Sequence, residues 1–367
     1  MAPPHSTVAS PELAPAAAPA LRPEQAWLQL VQRQVEASLA ELFELPDEAS
    51  LDARWTQAME LTRGYALRPA KRVRPALVMA GYSLARGTTT VPAGLWRFAA
   101  GLELLHTFLL IHDDVADQAA LRRGGTALHH LLAPGRMGED LAVVVGDHLF
   151  ARSLEAMLSS GLRGASRASQ YYLAVCRHTA AGQYLDLELS RAPLAEVTLR
   201  QTLRVAHLKT ARYGFGAPLV CGAMLAGAGD EVCQGLERVG RHVGRAYQLR
   251  DDLIGLFGDT RVAGKAADGD FAQGKRTFPV VAAYQRADAT GRAELERLWA
   301  LPPEAKEAQA LARARELVEE HGGRAACERA VERASRAGRR ALKALPESGG
   351  VRDLLDSLIT RLAHRAA

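Results

Sequence analysis

The sequence predicts an all-α protein, a single large helical bundle. Apolar residues recur at spacings of three and four through most of the chain, and no segment of useful length alternates as a strand does. Two aspartate-rich segments, 113–117 and 248–252, lie on separate predicted helices and suggest facing walls of one cavity. Because these segments must meet for any shared chemistry, we read the 367 residues as one domain rather than two.

The composition is that of an ordinary globular protein with a slight basic excess. Hydrophobic residues make up 48% of the chain and charged residues 24%, so a sizeable core is possible. The formal net charge of +5 is spread along the chain, which does not indicate nucleic-acid binding but suits a small anionic substrate or a lightly basic surface. No apolar run reaches the roughly 18 residues typical of a membrane span, so we expect no transmembrane segment.

The chain begins with an extension unlike the rest of the sequence. Residues 1–23 are rich in alanine and proline, so we expect a disordered extension followed by a folded domain over 24–367. The extension has neither the hydrophobic core of a signal peptide nor the arginine-rich pattern of a transit peptide. Together with 4 cysteines that lack C-x-x-C spacing, this predicts a cytoplasmic protein with reduced thiols.

The first three predicted helices follow from apolar spacing and from the position of a proline. Helical periodicity runs over 24–45 and over 51–65. A third helix is predicted over 76–85, with Pro75 in its first turn, where proline is tolerated.

A basic segment, 68–75, precedes this third helix and contains Lys71 and Arg74. Cations beside the free N–H groups of a helix N-terminus can bind an anion, so we interpret this segment as a candidate anion site. A solvated basic loop is the alternative.

The central predicted helix ends in Asp113, Asp114 and Asp117. Asp113 and Asp117 share one face because they are four residues apart, and His106 lies on roughly the same face two turns lower. Two carboxylates about 4 Å apart repel by a few kcal/mol at an effective dielectric of about 20, so a cation is needed between them. Oxygen ligands of this kind suit Mg²⁺, which bridges a few carboxylates to substrate phosphates. A solvated acidic helix end is the alternative.

Two arginines, Arg122 and Arg123, follow these aspartates within two turns. Paired guanidinium groups beside a magnesium site can hold a diphosphate through bidentate hydrogen bonds. Far downstream, Gln248, Asp251 and Asp252 repeat the acidic pattern on a second helix.

The other predicted helices and loops complete the bundle. Lys209 and Thr210 lie near the end of a helix that we expect to break at 213–218, where two glycines and a proline permit a kink or a restart. We interpret the glycine-rich segment 262–275 as a loop or lid in which Lys265 and Lys275 are suited to closing over phosphate. The remaining predicted helices cover 140–159, 171–189, 199–211, 235–256 and most of 277–367.

Five motifs of this chain resemble, in order and approximate spacing, those of the trans-isoprenyl diphosphate synthases, or polyprenyl synthetases. They are KRVRP at 71–75, HDDVAD at 112–117, LRRG at 121–124, KT at 209–210 and YQLRDD at 247–252. The resemblance implies a helical bundle around a deep central cavity, usually within a homodimer. It also implies that three Mg²⁺ ions assist the head-to-tail condensation of isopentenyl diphosphate with an allylic diphosphate.

The same resemblance assigns a role to each motif residue. Asp113 and Asp117 would hold two ions and Asp251 the third, with Asp114 and Asp252 in support. The allylic diphosphate would be held by Arg122, Lys209 and Lys265, and that of isopentenyl diphosphate by Lys71, Arg74, His106 and Arg123. Thr210 and Gln248 would stabilise the allylic cation that forms during the reaction.

Two positions depart from the family pattern. Gly255 stands where the second motif usually ends in aspartate, which weakens the support expected for the third ion. Ala70 precedes Lys71 where the family often has glycine, and we expect only a small backbone effect.

Phe108 and Leu109 are the candidates for setting product length. They precede Asp113 by five and four residues, which places them about 6 to 8 Å deeper along the helix. On an ideal wheel Leu109 lies beneath Asp113 and Phe108 is rotated aside, yet the family pattern treats an aromatic residue at 108 as the cavity floor. This pattern resembles the short-chain synthases that make geranylgeranyl diphosphate, with farnesyl diphosphate as the alternative. Phe108 as ordinary core packing, with the floor on another helix, is also open.

Two other functions fit parts of the pattern. A terpene cyclase shares the aspartate-rich magnesium site but needs no isopentenyl site, so the four residues assigned to isopentenyl diphosphate favour condensation. A non-catalytic partner subunit would be expected to have lost aspartates or Lys209, and apart from Gly255 the motifs are intact.

Overall fold

The computed structural model describes residues 23–44, 51–258, 269–346 and 350–363. This part of the chain is almost entirely helical, which confirms the all-α fold class. The expected disordered extension, apart from its last residue, and Lys265 in the expected lid lie outside the described residues.

The N-terminal helices follow the predicted order. They are α1 (Pro23–Glu41), α2 (Ala53–Ala66), α3 (Val73–Arg86) and α4 (Ala93–Ala116). α1 buries Val31, Val35 and Leu39 against the core, each at a spacing of four. Asp52 caps the N-terminus of α2, because its side chain accepts a 2.8 Å hydrogen bond from the backbone N–H of Arg54.

The third helix begins at Val73, earlier than the predicted start at 76. Arg72 precedes it in the left-handed region, with a φ of 44°, which is unusual for a residue with a Cβ. Its side chain is buried, and Nη1 donates a 2.9 Å hydrogen bond to Glu103 Oε1. This tertiary ion pair holds the backbone conformation that starts the helix, and local sequence pattern does not reveal it.

α4 is the central helix of the bundle. Leu95, Phe98, Leu102, Leu105 and Ile111 are all buried, since α1, α3 and a later helix cover its sides. Among the described residues it is the one helix whose length and composition would suffice to cross a membrane, and 61% of its apolar window is buried inside the fold.

A two-residue turn joins two short strands directly after α4. β1 (Leu121–Arg122) pairs antiparallel with β2 (Gly125–Thr126). Arg123 and Gly124, at the turn, have positive φ values of 52° and 74°, as a tight hairpin of this kind requires. The turn brings the Arg123 side chain back to α4, where Nη2 bonds Glu103 at 3.1 Å.

The next helices are α5 (Leu128–Leu132), α6 (Gly135–Leu158) and α7 (Ala165–Arg191). α6 packs closely along α4, and a Cβ at Gly146 would collide with the His112 ring. The outer side of α6 carries an exposed apolar stripe at helical spacing, formed by Met137, Leu141 and Val144.

The helix that was expected to break at 213–218 continues without a break. α8 (Leu199–Val205) passes into a π-helix (Ala206–Gly216) and then into α9 (Ala217–Leu225). The glycines serve packing instead, because Gly216 lies so close to Gly240 that a Cβ at Gly240 would collide with it. Lys209 and Thr210 therefore lie inside a widened helical turn, a feature common at functional sites.

The C-terminal half is helical as predicted, with one short turn inside the expected lid. Its elements are α10 (Asp230–Phe257), α11 (Gly269–Ala272), α12 (Phe278–Arg286), α13 (Ala289–Trp299), α14 (Ala308–Glu320), α15 (Gly323–Lys343) and α16 (Val351–Ala363). α10 packs against both the π-helix and α15, so the second aspartate-rich segment lies in the interior of the bundle.

Candidate functional site

The first aspartate motif ends α4 with three carboxylates in different surroundings. Asp114 is 1% exposed, and its Oδ1 accepts a 2.6 Å hydrogen bond from Nε of Arg122 while its Oδ2 accepts a 2.7 Å bond from the Tyr65 hydroxyl. Burial, followed by the charge of Asp114, raises the pKa of Tyr65, so the hydroxyl keeps the proton that it donates. Asp114 thus anchors the motif, while Asp113 and Asp117 are left to face the site.

Two lysines supply positive charge to these facing carboxylates. Lys209 Nζ lies 2.8 Å from Asp186 Oδ2 and 3.6 Å from Asp113 Oδ1. Lys275 Nζ lies 3.0 Å from Asp117 Oδ2. Burial opposes the charge of Lys209, but Asp113 and Asp186 outweigh it and raise its pKa. The structure therefore brings Lys209 and Lys275, from distant parts of the chain, to the first aspartate motif.

The second motif is tied to the π-helix through Gln248. The Thr210 hydroxyl donates a 2.6 Å hydrogen bond to Gln248 Oε1, and Gln248 Nε2 donates a 2.9 Å bond to Asp252 Oδ1. Burial raises the pKa of Asp252 to about 7. Thr210, Gln248 and Asp252 thus form one chain of hydrogen bonds between the two helices.

The glycine that departs from the family pattern lies beside another acid. A Cβ at Gly255 would collide with the carboxylate of Asp270, which comes from α11. Asp270 also acts on the pKa of Asp252 and helps to raise that of Lys275. A carboxylate from α11 therefore occupies the space that a side chain at 255 would need.

A second, cationic group lies below the aspartates. Arg123 bonds Glu103, the guanidinium of Arg74 lies 4.9 Å from the centre of the Tyr213 ring, and the His106 ring lies 6.1 Å from it. Burial, and then Arg74 and Arg123, lower the pKa of His106 well below its usual range, so His106 is neutral at neutral pH. Arg72 completes the group through its own bond to Glu103, whereas Lys71 is exposed at its edge.

Several buried polar atoms of this region have no hydrogen-bond partner among the described residues. They are Arg74 Nε, His106 Nδ1, Glu103 Oε2 and both amide atoms of Gln183. Buried polar atoms are nearly always paired in folded proteins, so a group of unpaired ones is typical of a site that waits for a polar ligand. Arg74 Nε and Gln183 Nε2 are donors, Glu103 Oε2 and Gln183 Oε1 are acceptors, and His106 Nδ1 can be either. The unpaired donor on the charged guanidinium of Arg74 suits an anion.

The carboxylate sets also fit magnesium. Among the described residues, no three Asp, Glu, His or Cys side chains group closely enough to hold a metal ion by themselves. Mg²⁺ prefers such incomplete protein sites, since it keeps waters and takes its remaining ligands from substrate phosphates. The ammonium groups beside Asp113 and Asp117 also demonstrate that both carboxylates face positive charge.

The two candidates for product length lie on neighbouring sides of α4. The Phe108 ring packs 4.6 Å from the His112 ring and 5.4 Å from the Phe150 ring, measured between ring centres. Leu109, like Phe108, is only partly buried. Phe108 therefore leans towards α6, as its place on the helical wheel predicts.

Sequence reasoning missed the residues that support this site from a distance. Tyr65, Arg72, Glu103 and Asp186 were not among the candidates, although each bonds directly to one of them or to another residue of the site. Their partners are up to 49 positions away in sequence, so local spacing could not reveal the pairs. Asp186 had a partial signal, because Gln183 and Asp186 share a helix face.

The Arg122 guanidinium already pairs with carboxylates of the first aspartate motif, so it is not free to bind an anion by itself. Its guanidinium is buried and bonded to Asp114, with Asp113 at 3.6 Å. Asp251 and Lys71 both interact with other residues of the fold.

Known proteins are similar to this chain in sequence and in fold. The geranylgeranyl diphosphate synthase of Mycobacterium tuberculosis is 37% identical over 269 residues, which cover 72% of this chain and 72% of that protein. The short chain isoprenyl diphosphate synthase of Methanothermobacter thermautotrophicus is 34% identical over 229 residues, covering 61% of this chain and 66% of that protein. The match thus spans just under two thirds of the latter relative's length.

A solved structure matches nearly the whole chain. The geranylgeranyl pyrophosphate synthase of Corynebacterium glutamicum, complexed with isoprenyl diphosphate and magnesium, is similar with a TM-score of 0.85 and 26% identity, covering 92% of this chain and 99% of that one. A family model described as Polyprenyl synthetase matches residues 56–318, which include all five motifs. The resemblance inferred from those motifs is confirmed, and the chain belongs to the polyprenyl synthetase family.

Proposed function

We propose that this protein is a short-chain trans-prenyl diphosphate synthase that condenses isopentenyl diphosphate with an allylic diphosphate. One observation carries the proposal: an acidic site at Asp113 and Asp117 lies beside a separate, buried cationic site at Arg74 and Arg123. Two sites of opposite character suit one diphosphate bound through metal ions and a second bound directly by side chains.

The acidic site would hold the allylic diphosphate. Asp113 and Asp117 would hold two Mg²⁺ ions and Asp251 a third, with Asp252 in support, and these ions would neutralise the charge of the departing diphosphate. Lys209 and Lys275 already contact this site, and each would donate to a phosphate oxygen once magnesium takes its place beside the carboxylates. Arg122 would act mainly by fixing Asp114, and Lys265 would join from the segment that closes the site.

The cationic site would hold isopentenyl diphosphate. Arg74 and Arg123 would bind its diphosphate, with Lys71 at the rim, and neutral His106 would donate one further hydrogen bond. The unpaired Nε of Arg74 and Nδ1 of His106 support this assignment. Glu103 would keep Arg72 and Arg123 in place, so that the double bond of the substrate faces the allylic carbon.

The reaction follows from this placement. The allylic C–O bond breaks as its diphosphate is stabilised, the isopentenyl double bond attacks the resulting cation, and a proton then leaves to the released diphosphate. The Thr210 hydroxyl and the Gln248 amide oxygen lie together at 2.6 Å, where their negative dipoles would stabilise the allylic cation. A terpene cyclase would not need the cationic site, which is intact here.

We propose geranylgeranyl diphosphate as the main product and farnesyl diphosphate as the alternative. The growing chain would pass Asp113 and run along α4 to Phe108 and Leu109. The paired rings of Phe108 and Phe150 support a floor at this depth. The name of one similar protein, the geranylgeranyl diphosphate synthase of Mycobacterium tuberculosis, supports the same length class.

We further propose that residues 24–367 form one domain, that the protein is a homodimer and that it works in the cytoplasm. An exposed apolar surface on α6 and α7, formed by Met137, Leu141, Val144, Tyr184 and Leu187, supports the dimer. Apolar stripes of this kind on two adjacent helices are typical of subunit interfaces.

Product analysis tests the main proposal. Purified protein is incubated with Mg²⁺, isopentenyl diphosphate and, in separate reactions, dimethylallyl, geranyl or farnesyl diphosphate, and the products are identified by mass. We expect elongated prenyl diphosphates that end at geranylgeranyl diphosphate with every primer. Cyclic hydrocarbons would indicate a cyclase, and no turnover with any primer would indicate a non-catalytic subunit.

A further inference from the structure

A group of arginine and histidine side chains lies where α8, the π-helix and α10 meet, and none of them belongs to the two proposed substrate sites. It consists of Arg204, His207, Arg241, His242 and Arg245, and we call it the arginine-histidine cluster. α10 and the π-helix touch at Gly244, where a Cβ would collide with Ala211. Arg245 directly follows this contact on α10, and His207 lies about one turn before Ala211 on the π-helix, so close helix packing brings the two side chains to the same region.

The charges that act most strongly on the two histidines of the cluster are positive. The charges that lower the pKa of His207 to about 4, after burial itself, all belong to arginines: Arg212, Arg245, Arg241 and Arg204. Burial and Arg241 lower the pKa of Arg245, and burial with Arg241, Arg245 and Arg340 lowers that of His242. Arg212 is engaged outside the cluster, since it bonds His178 at 2.8 Å and Glu237 at 3.3 Å.

Two nitrogen atoms of the cluster are shielded from solvent and unbonded. Arg245 Nε and His207 Nδ1 have no hydrogen-bond partner within the described part of the chain. A half-buried guanidinium beside another arginine, with a shielded nitrogen left unpaired, is unfavourable unless an anion completes it. Arg241 and Arg245 are four residues apart on one face of α10, a spacing that lets two guanidinium groups hold adjacent phosphate groups.

The cluster is distinct from the metal site on the same helix. Arg245 precedes Asp251 by six residues, so the two side chains leave α10 about 120° apart at about 100° per residue. The Thr210–Gln248 hydrogen bond lies close to the cluster, since Gln248 follows Arg245 by about 4.5 Å along the helix axis.

We propose that the arginine-histidine cluster is a second anion site that binds a small phosphate-bearing molecule, with inorganic diphosphate as the smallest ligand able to span Arg241 and Arg245. The ligand would accept hydrogen bonds from both guanidinium groups and from the imidazole of His207. This site is independent of the proposed reaction, because none of its residues belongs to the aspartate motifs or to the isopentenyl site.

Calorimetric titration of the full chain with inorganic diphosphate, in EDTA so that no metal ion contributes, tests the proposal. The wild-type protein is expected to bind one equivalent more than the Arg241→Gln/Arg245→Gln variant. The matched control is Arg238→Gln/Arg329→Gln, which removes the same charge from positions on α10 and α15 outside the cluster. Equal numbers of equivalents for wild type and Arg241→Gln/Arg245→Gln would overturn the site, as would an equal loss in the control.

Thermal unfolding gives a second reading that does not depend on the substrate sites. Since Arg241 and Arg245 repel each other, their double variant is expected to be at least as stable as wild type without anions. Added diphosphate or, in a parallel series, inorganic phosphate is expected to raise the Tm of wild type and of the control more than that of Arg241→Gln/Arg245→Gln. A shift of the same size in all three proteins would contradict a built site and indicate general charge screening.

Discussion

The hydroxyl of Tyr65, at the end of α2, donates a 2.7 Å hydrogen bond to the buried carboxylate of Asp114 in the first aspartate motif. These two residues are 49 positions apart, and the bond fixes the end of α4 against a second helix. The orientation of Asp113 and Asp117 on either side therefore depends on a residue outside every recognisable motif.

We expect Tyr65→Phe to destabilise the protein by about 1–3 kcal/mol, because one oxygen of a buried carboxylate loses its donor. Affinity for Mg²⁺ in the presence of an unreactive allylic diphosphate analogue should fall as well. Urea unfolding in EDTA and calorimetry measure the two effects. Tyr284→Phe on α12 is the control; a Tyr65→Phe protein with unchanged stability and metal affinity would rule out the anchoring role.

Lys209→Gln is expected to lower kcat by about 10²–10³-fold, the usual cost of removing a group that stabilises charge in a transition state. The lysine bridges Asp113 and Asp186, so its loss also leaves two carboxylates without their cation in the absence of metal. Single-turnover rates with farnesyl diphosphate measure the first effect, and Tm values with and without Mg²⁺ measure the second. Lys343→Gln, an exposed change on α15, should alter neither.

Phe108→Ala is expected to lengthen the product, because it removes a ring that packs against Phe150 in the proposed floor. Mass analysis of the prenyl diphosphates made from farnesyl diphosphate reads this directly. Leu109→Ala is the matched comparison, since Leu109 lies below Asp113 on the helical wheel. Longer products from Leu109→Ala alone would move the floor by one residue, and an unchanged product from both variants would place it on another helix.

Acid is expected to destabilise the protein partly through His207. Its pKa in the folded state is about 4, below the value of about 6.5 typical of an unfolded chain, so unfolding takes up a proton between these values. The stability that neutral His207 contributes is present above pH 6.5 and is lost as the pH falls towards 4. His207→Gln should flatten the dependence of unfolding free energy on pH in that window, whereas His130→Gln, at an exposed position, should not.

The dimer can be tested on α6. Leu141→Glu/Val144→Glu places two charges in the exposed apolar stripe and is expected to give a monomer in light scattering after gel filtration. Leu30→Glu, an exposed apolar position on α1, is the control and should leave the mass unchanged. A wild-type protein that is already monomeric at micromolar concentration would contradict the proposal.

The sequence predicted the fold class, because helix formation depends on local patterns. Helical spacing identified most helices. The motif spacing predicted that Asp113, Asp117 and Lys209 share one site, and the structure places Lys209 Nζ 3.6 Å from Asp113 Oδ1, while the roles of these residues stay predictions. The sequence could not predict the early start of α3, since Arg72 adopts its left-handed backbone through a buried bond to Glu103. The expected break at 213–218 was also wrong, because its glycines allow a close helix crossing rather than a turn.

The support of the site was harder to predict than the site itself. Tyr65 and Glu103 act only through contacts that exist once α2, α3 and α4 have packed together. The sequence predicted that Gly255 weakens the second aspartate motif, because it replaces the usual final aspartate. In the structure, the carboxylate of Asp270 lies where a side chain at position 255 would be. This proximity depends on how α11 packs against α10, so it could not be read from the motif alone.

The π-helix requires a particular number of residues in the segment Ala206–Gly216. Hydrogen bonds there join residues five apart rather than four, so the segment 206–216 holds more residues than an ordinary helix of the same number of turns. Deleting one residue between Ala206 and Lys209 would remove part of this surplus. The helix on either side would keep its orientation only if the segment rewound towards an α-helix, and at unchanged winding one side would turn by roughly the 80–100° that one residue spans. The number of residues in this segment is therefore tied to its winding, separately from the identity of any one side chain.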